Sequence, residues 1–232
     1  VDLDNTITPS IHLYAVAIWK CGLIISNALR HFCPYPPKLL QMQQDLDLEL
    51  MQTMGYSIDR FPSSWLTVYR KLAEMAGVGV DLSVERKLLK TARGFMNGPF
   101  LPYPGAVEAL LELKERGHTL YLISAGASWF QQRKIDDLGI RNLFAPDNIY
   151  VLDGTTSDCK RETFEKVFGP DPENSVMVGD SKGSDLEPVP TGVTTVWVPS
   201  HTWSFSESKN PVEPSFTIAS LAQLPALIRT LE

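Results

Sequence analysis

Cysteine is scarce in this chain: Cys21, Cys33 and Cys159 are the only three in 232 residues. They form no Cys-x-x-Cys pair and no disulfide framework, which excludes a stapled secreted scaffold and points to a reducing cytoplasm. Histidine is as thin. His12, His31, His118 and His201 are dispersed, without the His-Glu-x-x-His spacing of a zinc site. No run of Lys/Arg with interleaved aromatics occurs and the net charge is −6, so nucleic acid is not an expected partner. No long apolar run is uninterrupted either. The most membrane-like stretch, IHLYAVAIWKCGLIISNALRHF, is broken by Lys20 and closed by Arg30 and His31, and reads as a buried amphipathic helix rather than a membrane span. Signal peptide, internal repeat and low-complexity tract are all missing from the pattern.

What is present is an ordinary globular mix, 44% hydrophobic and 21% charged, enough for one large domain or a domain with an insertion. Residues 11 to about 98 read as helices with apolar residues three and four apart, separated by breaks such as CPYPP and GVGVD. After PFLPYPG the character changes. AVEALLELKERG, SWFQQRKIDDLG, DCKRETFEKVF and ASLAQLPALIRTL read as helices, and HTLYLIS, NIYVL, SVMVGD and TTVWVP as strands. That alternation predicts an α/β fold: a Rossmann-like parallel sheet with helices on both faces, plus an inserted α-helical domain. The expected boundaries are 1–14 and 99–232 for a discontinuous core and 15–98 for the helical insertion. Because VDLD reads as the end of a strand, most of that strand is expected upstream of Val1. The stretch 199–215 is too long for a neutral connector; it places Trp203 and His201 as open candidates.

In an open α/β sheet, ligands bind beyond the carboxyl ends of the strands. The first apolar run ends in Asp2 and Asp4, one residue apart. In an extended segment such residues share a side, where ionising both is unfavourable unless a cation is present. HTLYLIS ends in Ser124, followed by Ala125 and Gly126. SVMVGD ends in Asp180, with Asp185 five residues on, and Lys160 stands near the start of a helix between them. All would converge on one rim. Alone, Asp-x-Asp is a solvated turn and Asp180/Asp185 a helix-capping pair; the combination favours a site. Gly77 and Gly79 lack the third glycine of a dinucleotide fingerprint, and GDSKGSD is not a P-loop.

DLDNT, LISAG, a helix-start lysine and GDSKGSD, in that order, resemble the four motifs of the haloacid-dehalogenase-like hydrolase superfamily, helical-capped phosphatase type. The helical insertion sits where many members carry a cap. The third motif departs from the pattern, with Arg161 where a proline often follows the lysine, and Lys166 is the fallback. The resemblance implies a Mg²⁺-dependent phosphatase acting on a small phosphorylated metabolite through an aspartyl-phosphate. Asp2 is then the nucleophile and Asp4 the general acid/base. Ser124, Ala125, Gly126 and Lys160 hold the phosphate. Asp2, Asp180 and the Asp4 main-chain carbonyl hold the metal, with Asp185 either a further ligand or a support behind them. Keeping Asp at position 4 separates this chain from the dehalogenases. A phosphomutase using the same intermediate and an aspartate-phosphorylated signalling or binding module are the alternatives. Trp19, Trp65, Tyr69 and Met51 read as helix-packing residues, while Arg60, Arg93 and Asn97 could reach a substrate from the helical part.

Overall fold

The computed structural model describes residues 1–153, 160–200 and 212–232. It divides into two compact units, Val1–Ser10 with Pro99–Glu232, and Ile11–Gly98. The first division falls four residues before the expected 14/15 boundary. The reason is local: α1 already starts at Ser10 and runs to Leu29, directly after Pro9, so the helical segment leaves little linker.

The helical unit consists of α1, α2 (Pro36–Met54), α3 (Arg60–Met75) and α4 (Leu82–Ala92). Pro36 and Pro37 open α2, where a missing N–H costs nothing, and the Asp81 side chain caps α4 by accepting from Ser83 N (2.7 Å). Trp65, Tyr69 and Met51 are buried, as packing residues should be. Trp19 is not: it is 62% exposed, and with Val16 and Leu23 it forms an apolar stripe on the outer face of α1. The opposite stripe, Ala17, Cys21, Ile25 and Leu29, is buried at four-residue spacing. By length and composition alone, Ser10–Phe32 is apolar enough to cross a membrane; in the fold α1 is amphipathic, buried along one face. Arg60 is held inside, with Nε donating to Asp47 (3.1 Å) and Nη1 to Gly55 O (2.7 Å). Arg93 pairs with Asp59 (2.8 Å). Both arginines therefore have structural partners within this unit.

The other unit carries the sheet. β1 (Leu122–Ala125) pairs in parallel with β2 (Ile149–Leu152), while β3 (Val176–Gly179), β4 (Thr194–Trp197) and β5 (Phe216–Thr217) form a second parallel set. Val1 and Asp2 join them: Val1 N donates to Tyr121 O (2.8 Å), Ile123 N to Val1 O (3.0 Å) and Asp2 N to Val178 O (3.0 Å). The chain start is thus the central rung between β1 and β3. α5 (Ala106–Glu115), α6 (Ser128–Asp137), α7 (Arg161–Phe168) and α8 (Leu224–Ile228) complete the unit. Leu3, Ile7, Leu110, Leu122, Ile135, Val178, Val196 and Leu224 belong to one apolar core. Ile123, Met177, Phe164 and Phe168 form a second, smaller cluster. Two layers of packing against one sheet are what the alternating pattern requires.

Differences from the sequence pattern are modest. The HTLYLIS strand is regular only from Leu122. The final helix breaks into a short turn, Leu221–Gln223, and α8, because Pro225 fits only the first turn of a helix. β5 lies between the 199–215 stretch and the final helix, where the pattern names no element. Cys159, Trp203 and His201 lie outside the described residues; Cys21 and Cys33 are free thiols.

Candidate active site at the carboxyl ends of the strands

Asp2 leaves the central rung at its carboxyl end, and the chain then folds into a tight turn. Ile7 N and Thr8 N both donate to Leu3 O (2.9 and 3.1 Å), and Asn5 N donates to Thr8 O (2.6 Å). Asn5 takes a left-handed backbone, φ 58°, which asparagine tolerates better than most residues. This turn carries Asp4. Asp180 follows β3, and Asp185 lies on the wide helical turn Lys182–Leu186.

Carboxylate oxygens of Asp2, Asp180 and Asp185 lie within 4.8 Å of one another. Lys160, at the start of α7 and almost fully buried, donates 2.6 Å bonds to Asp2 Oδ1 and Asp185 Oδ1. Asp185 Oδ2 accepts from Ser181 N (3.0 Å), and Trp197 Nε1 donates to Asp180 O (2.9 Å). Gly179 makes the approach possible: a Cβ there would lie 2.3 Å from Asp185 Oδ2 and 2.5 Å from its Cβ. Lys166 is elsewhere, its Nζ over the Tyr150 ring at 5.2 Å. Lys160 and not Lys166 meets the carboxylates. A cavity lined by Val1, Thr119, Tyr121, Lys166 and Val176 contains none of these acids.

Electrostatics sort the two opening aspartates. Burial pushes the Asp2 carboxyl up, Lys160 pulls it down, and Asp185, Asp180 and Asp4 push it up again, leaving it well above the usual carboxylate range. Burial opposes charge on Lys160, but Asp185 and Asp2 beside it hold it firmly as an ammonium. Burial also pushes Asp4 up, yet the Lys134 charge and hydrogen bonds from Gln131, Lys134 and Ser10 overcome it, and Asp4 ends below its ordinary value. Two like residues, two positions apart, are driven in opposite directions.

Ser124 ends β1 and is 1% exposed. Its Oγ accepts from Gln131 Nε2 (2.9 Å), whose two hydrogens are shared with Asp4 Oδ2 (2.7 Å) and Ala125 O (3.0 Å). Gly126 requires a correction. Its N–H, expected to face a phosphate, donates to Leu152 O (2.9 Å) because the chain continues the β1–β2 ladder one residue further. Lys134 Nζ bonds Asp4 Oδ1 at 2.6 Å and Ser10 Oγ donates to the same oxygen. Gln131, Lys134, Ser10 and Gly179 were not singled out by the motifs. A signal for two of them existed: Gln131 and Lys134 share the buried face of α6 with Phe130 and Ile135, and polar groups on an apolar face need partners.

A divalent cation fits this donor set. Three oxygen-bearing acids converge, one ammonium offsets only part of their charge, and Asp2 is destabilised as an anion by its neighbours. Hard cations with carboxylate and carbonyl ligands suit such a cluster.

Known proteins resemble this chain in sequence and in fold. Over 89 residues, 37% of this chain, the sequence is 33% identical to the glyceraldehyde 3-phosphate phosphatase of Methanothermobacter thermautotrophicus, and the match spans 38% of that protein. A haloacid dehalogenase-like family hydrolase from Xanthomonas campestris superposes with a TM-score of 0.74 at 22% identity, covering 99% of this chain and 89% of that one. An L-2-haloacid dehalogenase from Xanthobacter autotrophicus gives 0.60 at 17%, covering 100% and 97%. At those identities the structural likeness speaks for the fold alone. The model of one family, however, matches residues 1–188, a span that takes in Asp2, Asp4, Ser124, Lys160, Asp180 and Asp185, and the chain belongs to the haloacid dehalogenase-like hydrolases.

Proposed function

We propose that this chain is a cytoplasmic phosphatase, hydrolysing a small phosphorylated metabolite through a phosphoryl group carried on Asp2, with the helical unit as its cap. The observation that carries the reading is the convergence of Asp2, Asp180 and Asp185 around the Lys160 ammonium. Asp2 Oδ attacks phosphorus, and the bond from phosphorus to the leaving oxygen breaks. That oxygen takes its proton from the protonated form of Asp4, a minor species at neutral pH because the Lys134 charge favours the Asp4 carboxylate. Water then attacks phosphorus, Asp4 takes the water proton, and the bond to Asp2 breaks to release phosphate. Ser124 and Lys160 hold the phosphoryl oxygens and offset their charge. The Asp2, Asp180 and Asp185 carboxylates and the Asp4 carbonyl would hold Mg²⁺, which would supply Lewis-acid neutralisation of the phosphoryl charge.

Asp4 supports phosphate over halide chemistry. A departing halide needs no proton, so an acid held by three donors has no task in dehalogenation, whereas an alkoxide leaving group requires one. The two free thiols, Cys21 and Cys33, accord with a reducing compartment. The test is phosphate release from a panel of phosphorylated metabolites, with Mg²⁺ and with excess chelator. Release that stops with chelator, and falls by about four orders of magnitude in Asp2→Asn at unchanged circular dichroism, is expected. Isomerised sugar phosphate without free phosphate points instead to a mutase, and a long-lived aspartyl phosphate to a signalling module.

A further inference from the structure

We propose that Gln131 and Lys134 are positioning residues: they aim the Asp4 carboxylate and couple it to the phosphate grip at Ser124. The inference rests on the phosphatase reading. Both side chains project from the same face of α6, three residues apart, and α6 begins two residues after Gly126. They take one carboxylate oxygen each. Gln131 Nε2 donates to Asp4 Oδ2 (2.7 Å) and Lys134 Nζ to Oδ1 (2.6 Å). The carboxyl group is therefore fixed in rotation as well as in place, with Ser10 Oγ as a third donor.

The two holders are themselves fixed. Lys134 is 4% exposed, and its ammonium lies 4.5 Å from the centre of the Phe130 ring and 5.9 Å from that of Phe100. Aromatic faces attract a cation and leave it one carboxylate to bond. Gln131, 1% exposed, ties Asp4 to Ser124 Oγ and Ala125 O through a single amide nitrogen. A shift of the phosphate-holding serine is thus felt at the acid/base carboxylate. Burying a lysine and a glutamine on an apolar helix face is costly for a fold, and packing alone would be better served by leucine or methionine there. The geometry accounts for their presence by what they hold.

The expected kinetic mark is specific. Water attack on the phosphorylated Asp2 needs the Asp4 oxygen aimed at the water, whereas substrate binding does not. In Lys134→Met and Gln131→Met, kcat for para-nitrophenyl phosphate should fall about ten- to a hundredfold without a rise in KM. The fraction of enzyme labelled on Asp2 by ³²P-acetyl phosphate should increase, and Lys134→Arg should recover most of the loss. A merely structural role lowers the melting temperature without moving the labelled fraction. If Lys134→Met does not fold, Lys134→Gln, which keeps a donor but not the charge, is read in the same way. Folded variants with kcat within twofold of wild type, or with raised KM at unchanged kcat, overturn the inference while the phosphatase reading stands. A wild-type chain that neither releases phosphate nor takes the label overturns the phosphatase reading itself.

Discussion

Replacing Lys160 by methionine removes a charge from the centre of the site without removing much volume. Its Nζ bonds Asp2 and Asp185 at 2.6 Å each, and the three side chains are 3%, 7% and 1% exposed. Truncating one partner of a buried ion pair leaves an uncompensated charge and costs about 3–5 kcal/mol. With a urea m-value of about 2–3 kcal/mol/M for a protein of this size, the midpoint should fall by roughly 1–2 M in chelator at neutral pH. The sign with pH follows from the shifts. Lys160 is raised above 10.5, so its contribution is complete below that pH and disappears only in strong alkali as the folded-state value is passed. Asp2 is raised above 3.8, so its own contribution favours the fold in acid and is lost as pH climbs through the raised value. In Lys160→Met the two acids lose the Lys160 ammonium and take up protons more readily. The deficit should therefore be largest near neutral pH and shrink toward pH 4, and Mg²⁺ should restore part of it. Urea melts of both proteins at pH 4.5 and 7.5, with Mg²⁺ or chelator, measure this. Equal midpoints for wild type and variant in chelator at pH 7.5 would refute the account of a charge-compensated cluster.

Two further perturbations separate neighbouring parts of the site. Gly179→Ala forces a Cβ to within 2.3–2.5 Å of Asp185; overpacking of this kind costs about 1–3 kcal/mol, and phosphate release should fall with the melting temperature. Normal turnover in that variant would show that Asp185 has room to move. Asp4 is held below 3.8, so its ion pair with Lys134 stabilises the fold above that pH and the contribution is lost as pH falls through the lowered value. The stability gap between wild type and Lys134→Met should accordingly narrow below about pH 4; a gap independent of pH from 3 to 7 contradicts the assigned pair.

How much of this was legible before folding depends on distance along the chain. Helical spans such as 106–115 and 128–137 follow from apolar spacing, a property of adjacent turns. Strand ends follow similarly, and with the rule for ligands in open α/β sheets they place Asp2, Ser124 and Asp180 on one rim. The choice of Lys160 over Lys166 was not legible, because both lie at the start of or within one short helix and only the packing of α7 decides which reaches Asp185. The loss of the Gly126 amide to Leu152 O depends on strand register, which a single strand does not contain.

The sequence by itself determined the order of elements, the α/β class and the pairing of carboxylates at i and i+2, because each arises from backbone geometry within a few residues. Only the tertiary structure decided what those carboxylates became. Asp4 meets Lys134 across 130 positions of chain and Asp2 meets Lys160 across 158, and those contacts drive two aspartates of one short motif in opposite directions. Charge state in a buried site is set by neighbours in space, and spacing along the chain does not name them.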